Sequence, residues 1–247
     1  MLPVMPNSLS ELLNAIGKQA THPGCVWRGQ SNFVWPCFPS LYRRLLKSGY
    51  ADSVIDEALV RRAETIVIQE ACKQSLLDAG DEATVEFMAR VQHYGGATRL
   101  LDVSYNPLVA LYFSLSNKDQ TGVVYRYLIS SECTVSADDG LVLWRDLLAK
   151  GESGRPVLYN PLPWDRRIEI QEGAFLTTSL PGFLSDPTIF TNQTLDSEVD
   201  VIWVNPRLKN EARAYLEEKG ITQQALFPSM QDFAKSQSFE KSFIAGV

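Results

Sequence analysis

Arg28 leaves the apolar run Cys25-Val26-Trp27 and is followed directly by Gly29 and Gln30. A guanidinium at a strand end, beside a glycine that lets backbone approach, offers two parallel donors to a phosphate or carboxylate. A structural ion pair, for example with Asp102, explains the same residue without any ligand, and the two roles can coexist. A second polar segment reads Gln92-His93-Tyr94-Gly95-Gly96-Ala97-Thr98-Arg99-Leu100-Leu101-Asp102. Gln92, His93, Tyr94, Thr98, Arg99 and Asp102 all carry hydrogen-bonding side chains, yet the run lies between apolar stretches. Buried polar groups need partners, so this density implies a shared network or a ligand. Taken alone, His93 reads more simply as a structural imidazole than as a base. Asp102, between Leu101 and Val103, reads as a buried carboxylate that needs Arg28 or Arg99 as its cation. The third segment is Arg167-Ile168-Glu169-Ile170-Gln171-Glu172-Gly173. Read as extended chain, it puts Arg167, Glu169 and Gln171 on one side. There Gln171 can hold a ribose hydroxyl or an amide, and Glu169 can meet Arg167 as a plain pair.

Much common chemistry is excluded. The chain contains no G-x-S-x-G, H-E-x-x-H, Walker loop or G-x-G-x-x-G. The two histidines, His22 and His93, and the four cysteines show no metal-ligand spacing, so no metal site is expected. A formal net charge of -6 supplies no global basic field for nucleic acid. The local cluster Arg43, Arg44 and Lys47 can bind phosphate, although a solvated helix face is the simpler reading. Cysteines without a pairing pattern, and an N-terminus with neither a basic region nor a long apolar run, predict reduced thiols and a cytoplasmic protein. No run approaches the ~20 apolar residues of a membrane span.

These segments need a scaffold, and 247 residues with 45% hydrophobic and 21% charged side chains can build one. Ser8 and Glu11 have the form of a capping box ahead of a helix over 9–18. A strand is expected at 25–27, helices over 41–47, 53–79 and 81–92, and a short extended segment over 98–103. Asn106-Pro107 starts another helix, with Asn as cap and Pro in the first turn. Further expectations are strands over 122–129 and 199–204, two strand pieces over 168–178, helices over 141–150 and 210–219, and a final helix from Gln231. Strands and helices interleave without a βαβ rhythm, and no composition shift marks a linker. The prediction is one α+β domain over 1–247, with a small twisted sheet flanked by helices.

In this order, the three segments resemble the FRG-domain family. The matching text runs from VWRGQSNFVWPCFPSLYRR through VQHYGGATRLLDVSYNPLVALYFSL and RIEIQEGAF to GITQQALFPSM, most of the chain. The middle block is the specific one: Gln92-His93-Tyr94-Gly95, Thr98 to Asp102, Asn106-Pro107 and Ala110 to Phe113. Trp27 stands where the family usually has Phe, Gly96-Ala97 where it has Leu-Pro, and Val103-Ser104 where it has Trp-Thr. The layout also resembles ADP-ribosyltransferases in outline, which implies a related fold and NAD as substrate. On that likeness Arg28, with Gly29, Gln30, Tyr94 and Arg99 nearby, would bind the pyrophosphate. Thr98 and Asp102 would form the floor of the nicotinamide side, His93 would join the reacting groups, and Gln171 or Glu169 would address the ribose and the acceptor. The implied activity is an NAD-consuming transferase or glycohydrolase, acting on a macromolecule as a toxin or phage-defence effector. The alternative is a module that binds a nucleotide or phosphate without turnover.

Overall fold

The computed structural model describes residues 3–17, 24–35, 37–78, 82–151, 156–177 and 198–228. His22 and the helix expected from Gln231 lie outside these residues.

The fold is α+β, built on one mixed, open seven-stranded sheet. The strands are β1 (Cys25–Gln30), β2 (Leu101–Ser104), β3 (Gly122–Leu128), β4 (Thr134–Ser136), β5 (Val157–Asn160), β6 (Gly173–Thr177) and β7 (Glu198–Val204). They lie in the order β4-β5-β6-β2-β1-β3-β7. Every neighbouring pair is antiparallel except β4 with β5. Around the sheet are α1 (Leu9–Gly17), α2 (Ser40–Lys47), α3 (Glu57–Lys73), α4 (Val85–His93), α5 (Pro107–Ser114), α6 (Trp144–Lys150), α7 (Arg166–Ile170), α8 (Lys209–Glu218) and α9 (Gln223–Leu226).

Short polar caps decide where helices begin. The Thr84 hydroxyl accepts from the Phe87 amide at 3.0 Å to start α4. Asn106 accepts from the Leu108 amide at 3.0 Å to start α5, as the Asn-Pro pair predicts. Glu11 reaches back to the Asn7 amide, one residue before the cap, while Ser8 accepts from Glu11. The helix expected over 53–79 begins at Glu57, because Asp56 caps it through the Leu59 amide at 2.8 Å. The strand expected from residue 168 is instead α7. Asp165 accepts from the Arg167 amide at 2.7 Å and turns Arg-Arg-Ile-Glu-Ile into a short helix. The chain then reverses through Glu172, at φ 45, before β6.

Alternation along the strands separates two faces. Val26, Leu101, Val103, Tyr125, Tyr127 and Leu176 pack on one. On the other, Trp27, Val124 and Ile202 meet α1, α5 and α8. Further along that second face Leu100, Tyr159 and Phe175 meet α4, α6 and α7. The helical face is thus divided into two clusters.

A fully buried lysine fixes one of them. Lys209, at the start of α8, donates to the carbonyls of Ser114 (2.7 Å), Asn117 (2.6 Å) and Ser31 (3.3 Å). It thereby satisfies the end of α5, where a cation is favoured. Lys209→Met removes all three donors at once. The expected loss is on the order of 3 kcal/mol of stability, read as a lower urea midpoint with an unchanged slope.

Candidate active site

The site lies where the two helical clusters part. β1 and β2 are joined in register at Trp27 with Ser104. Beyond that pair the Asp102 carbonyl accepts from the Arg28 guanidinium at 2.7 Å. A side chain therefore takes the place of a ladder bond in the middle of the sheet. Over this seam sits a cavity of about 320 Å³. Its floor is Trp27, Arg28 and Gly29 of β1, Asp102 to Ser104 of β2, and Gly173 to Phe175 of β6. Val109, Ala110 and Phe113 of α5 form one wall, and Gln92 and His93 of α4 with Arg167, Ile168 and Gln171 form the other.

Asp102 is exposed, which corrects the expectation of a buried, ion-paired acid. Its neighbours Leu101 and Val103 point into the core on the opposite face, while Asp102 pairs with Phe175 on the cavity side. Arg28 touches its backbone carbonyl, and among the described residues its carboxylate accepts only from the Gln92 amide, at 3.0 Å. Gln92 is aimed by its own oxygen, which accepts from Thr98 and from Ser40, each at 2.8 Å. Thr98 is fully buried. It positions Gln92, and so Asp102, from behind the wall.

Arg99 is not a ligand residue. It is fully buried and grips Glu64 through two donors, at 2.6 and 2.7 Å, and Glu57 at 2.9 Å. Gln30 is buried and spends its amide on the Trp35 carbonyl at 3.0 Å. Tyr94 is 81% exposed and does not line the cavity. Glu169 is exposed on α7 and also lies off the cavity, because helical spacing replaces the extended alternation that grouped it with Gln171. Gln171 does line it, although its side-chain amide already donates to the Leu226 carbonyl at 2.8 Å, and Ser104 donates to its backbone carbonyl at 2.6 Å.

His93 stands in the wall with Nε2 3.3 Å from Asp165 and its ring edge-on to Trp164. Burial lowers its pKa from the ordinary 6.5, outweighing the opposing pull of Asp165. The imidazole is therefore neutral at pH 7. Arg167, read from sequence as a partner for Glu169, is the second guanidinium of the cavity. It lies over the Phe227 ring at 4.8 Å, and among the described residues its buried Nε has no hydrogen-bond partner. The Trp27 indole nitrogen is likewise buried and unpartnered. Reading it as a partner for Glu169 hid Arg167; α7 keeps Arg167 and Gln171, four residues apart, at the cavity and carries Glu169 off it.

The cavity thus presents two guanidiniums, one carboxylate, one neutral imidazole, two unused donors and the aromatic rings of Phe113 and Phe175. Among its lining residues Asp102 is the single acid. Such a set holds an anion at one end and stabilises a developing positive charge at the other. Among the described residues no cluster of potential metal ligands occurs, and no helix is long and apolar enough to cross a membrane.

No curated protein and no solved structure matches the chain. The family model of the FRG domain matches residues 24–122, about 40% of the chain, a shorter span than the sequence resemblance suggests. Arg28, Gln92, His93, Asp102 and Phe113 fall within it, while Arg167, Gln171 and Phe175 are contributed from beyond its end. Residues 24–122 are thus similar to the FRG domain, and residues beyond that match complete the cavity.

Proposed function

We propose that the cavity binds NAD and that the protein breaks the bond between nicotinamide and ribose, passing ADP-ribose to water or to a macromolecular acceptor. The observation that carries this reading is that Arg28, Arg167 and Asp102 line one cavity that also offers aromatic surface. The guanidiniums bind the pyrophosphate oxygens, and the unpartnered Nε of Arg167 gains its missing acceptor. Phe113 or Phe175 supports the nicotinamide ring.

In the reaction the glycosidic C–N bond breaks and nicotinamide leaves with the electron pair. The ribose C1′ becomes an oxocarbenium ion. The Asp102 carboxylate, oriented by Gln92, stabilises that charge. Water or an acceptor hydroxyl then adds to C1′ and gives up its proton to Asp102 or to neutral His93.

Chromatographic detection of free nicotinamide tests this, with and without nucleic acid and cell lysate as acceptors. The wild type should release it. Asp102→Asn should lower kcat by roughly a hundredfold or more, the usual loss when one charge-stabilising group is removed. Arg28→Ala and Arg167→Ala should act mainly through KM. No release under any acceptor condition would sink the reaction.

A second reading, binding without turnover, is favoured by one observation: Asp102 has no companion carboxylate in the cavity, and Gln171 is already engaged. Calorimetric titration that returns intact ligand would select it.

A further inference from the structure

A second concavity, of about 360 Å³, adjoins the first. It is lined by Ser40, Arg43, Arg44, Lys47, Gln92, Gly95 and Gly96. Gln92 belongs to both and forms the partition between them. Three of its seven lining residues are cationic and none is acidic. The helix α2 that supplies them, Ser-Leu-Tyr-Arg-Arg-Leu-Leu-Lys, has no acidic residue, and its apolar side is spent on Leu41 and Tyr42 in the core. Arg43, Arg44 and Lys47 are exposed, and none is ion-paired among the described residues. The Arg44 guanidinium donates to the Gly95 carbonyl, which folds it against the Gly95-Gly96 turn. In a chain of net charge -6, three unneutralised cations in one hollow stand out from their surroundings.

The rim adds a second chemistry. Tyr94 is 81% exposed and sits between His93, which lines the first cavity, and Gly95, which lines the second. A tyrosine held in water at the junction of two cation-bearing hollows suits a partner with both phosphates and flat rings.

We propose that the hollow on α2 cradles the backbone of a single-stranded nucleic acid, with Arg43 and Lys47 on its phosphates and Tyr94 stacked on a base, so that the strand crosses Gln92 toward the mouth of the first cavity. Guanidinium forks match phosphate oxygens, and base stacking on an aromatic ring is the sequence-tolerant contact that unpaired bases provide. The charge of Arg28 acts against that of Arg43, so an anion lying between these two arginines relieves a repulsion already present. The binding stands on this geometry; that the strand accepts ADP-ribose rests on the reading given above.

Fluorescence anisotropy with labelled single-stranded DNA and RNA of mixed sequence, over a salt series, tests the proposal. The substituted residues are exposed, so the fold remains, and circular dichroism checks it. Arg43→Ala/Lys47→Ala should weaken binding about tenfold at low salt. Losing two phosphate contacts at about 0.7 each should also flatten the slope of log affinity against log salt by about 1.4. Tyr94→Ala should weaken binding about tenfold while leaving that slope unchanged. Equal affinity of the wild type and the double variant would overturn the proposal, and so would duplex binding as tight as single-strand binding. Nicotinamide release is measured on the same variants. Strand binding that fails while NAD turnover persists sinks this inference alone, and the reverse sinks the enzyme reading alone.

Discussion

Arg99→Met should lower the stability of the protein by about 3–5 kcal/mol, read as a strongly reduced urea midpoint. The guanidinium is wholly buried and satisfies two carboxylates, Glu64 through paired bonds of 2.6 and 2.7 Å and Glu57 through bonds of 2.9 and 3.0 Å. Burial opposes its charge, but Glu64, with Tyr42 and Glu57, more than compensates and raises its pKa. Without it, Glu64, whose side chain is 3% exposed, keeps a charge with no counterion. Breaking a buried pair from one side costs about 3–5 kcal/mol, a large part of the 5–15 kcal/mol that holds a typical domain together. Removing both members with apolar replacements of similar volume is far milder. Arg99→Met combined with Glu64→Leu should therefore regain most of the loss in a urea titration. A single variant as stable as the wild type would show that the cluster does not support the fold. Asp102→Ala, by contrast, removes an exposed acid and should leave stability nearly unchanged.

The second large effect is expected at Gly29. A methyl group there would lie 1.8 Å from the Ala110 carbonyl oxygen and 2.9 Å from the Ser114 amide nitrogen, both backbone atoms of α5. No rotamer relieves such a contact, so the helix itself must lift from β1. Gly29→Ala should cost about 3 kcal/mol or more, the upper range for overfilling a packed interior. Because α5 carries Ala110 and Phe113 in the cavity wall, ligand affinity should fall together with the melting temperature. Gly17→Ala is the control: nothing lies within 4 Å of its added carbon, and stability should hold. Equal melting temperatures for Gly29→Ala and the wild type would show that α5 does not need this close approach. From sequence, this glycine looks like a place for a ligand to approach; in the structure the closest visitor is a helix.

How much could be read from sequence follows from how local each cause is. The start of α5 was legible because Asn106 and Pro107 act on their immediate neighbours. The meeting of the three polar segments was legible because polar side chains among apolar ones need company. Other features depend on the face a residue takes. Asp102 looked buried from its neighbours, yet alternation turned it toward an opening that no short stretch of sequence reveals. Arg167 and Glu169 looked like two members of one strand face until a single cap at Asp165 changed the period from two to 3.6. Arg99 reads from sequence as a ligand residue because its partners lie 35 and 42 positions upstream. A trace of that pairing was present, since Glu57 and Glu64 are two helical turns apart and share one stripe of α3.

One register pair and one guanidinium join β1 to β2, and this makes the centre of the sheet its least laced line. On one side β4, β5, β6 and β2 form a plate, and on the other β1, β3 and β7 form a second. The span from Arg28 to Asp102 is thus set by how far the plates stand apart. Substitutions remote from the ligand, among the tyrosines packed beneath the seam, can retune that gap while every lining side chain keeps its identity.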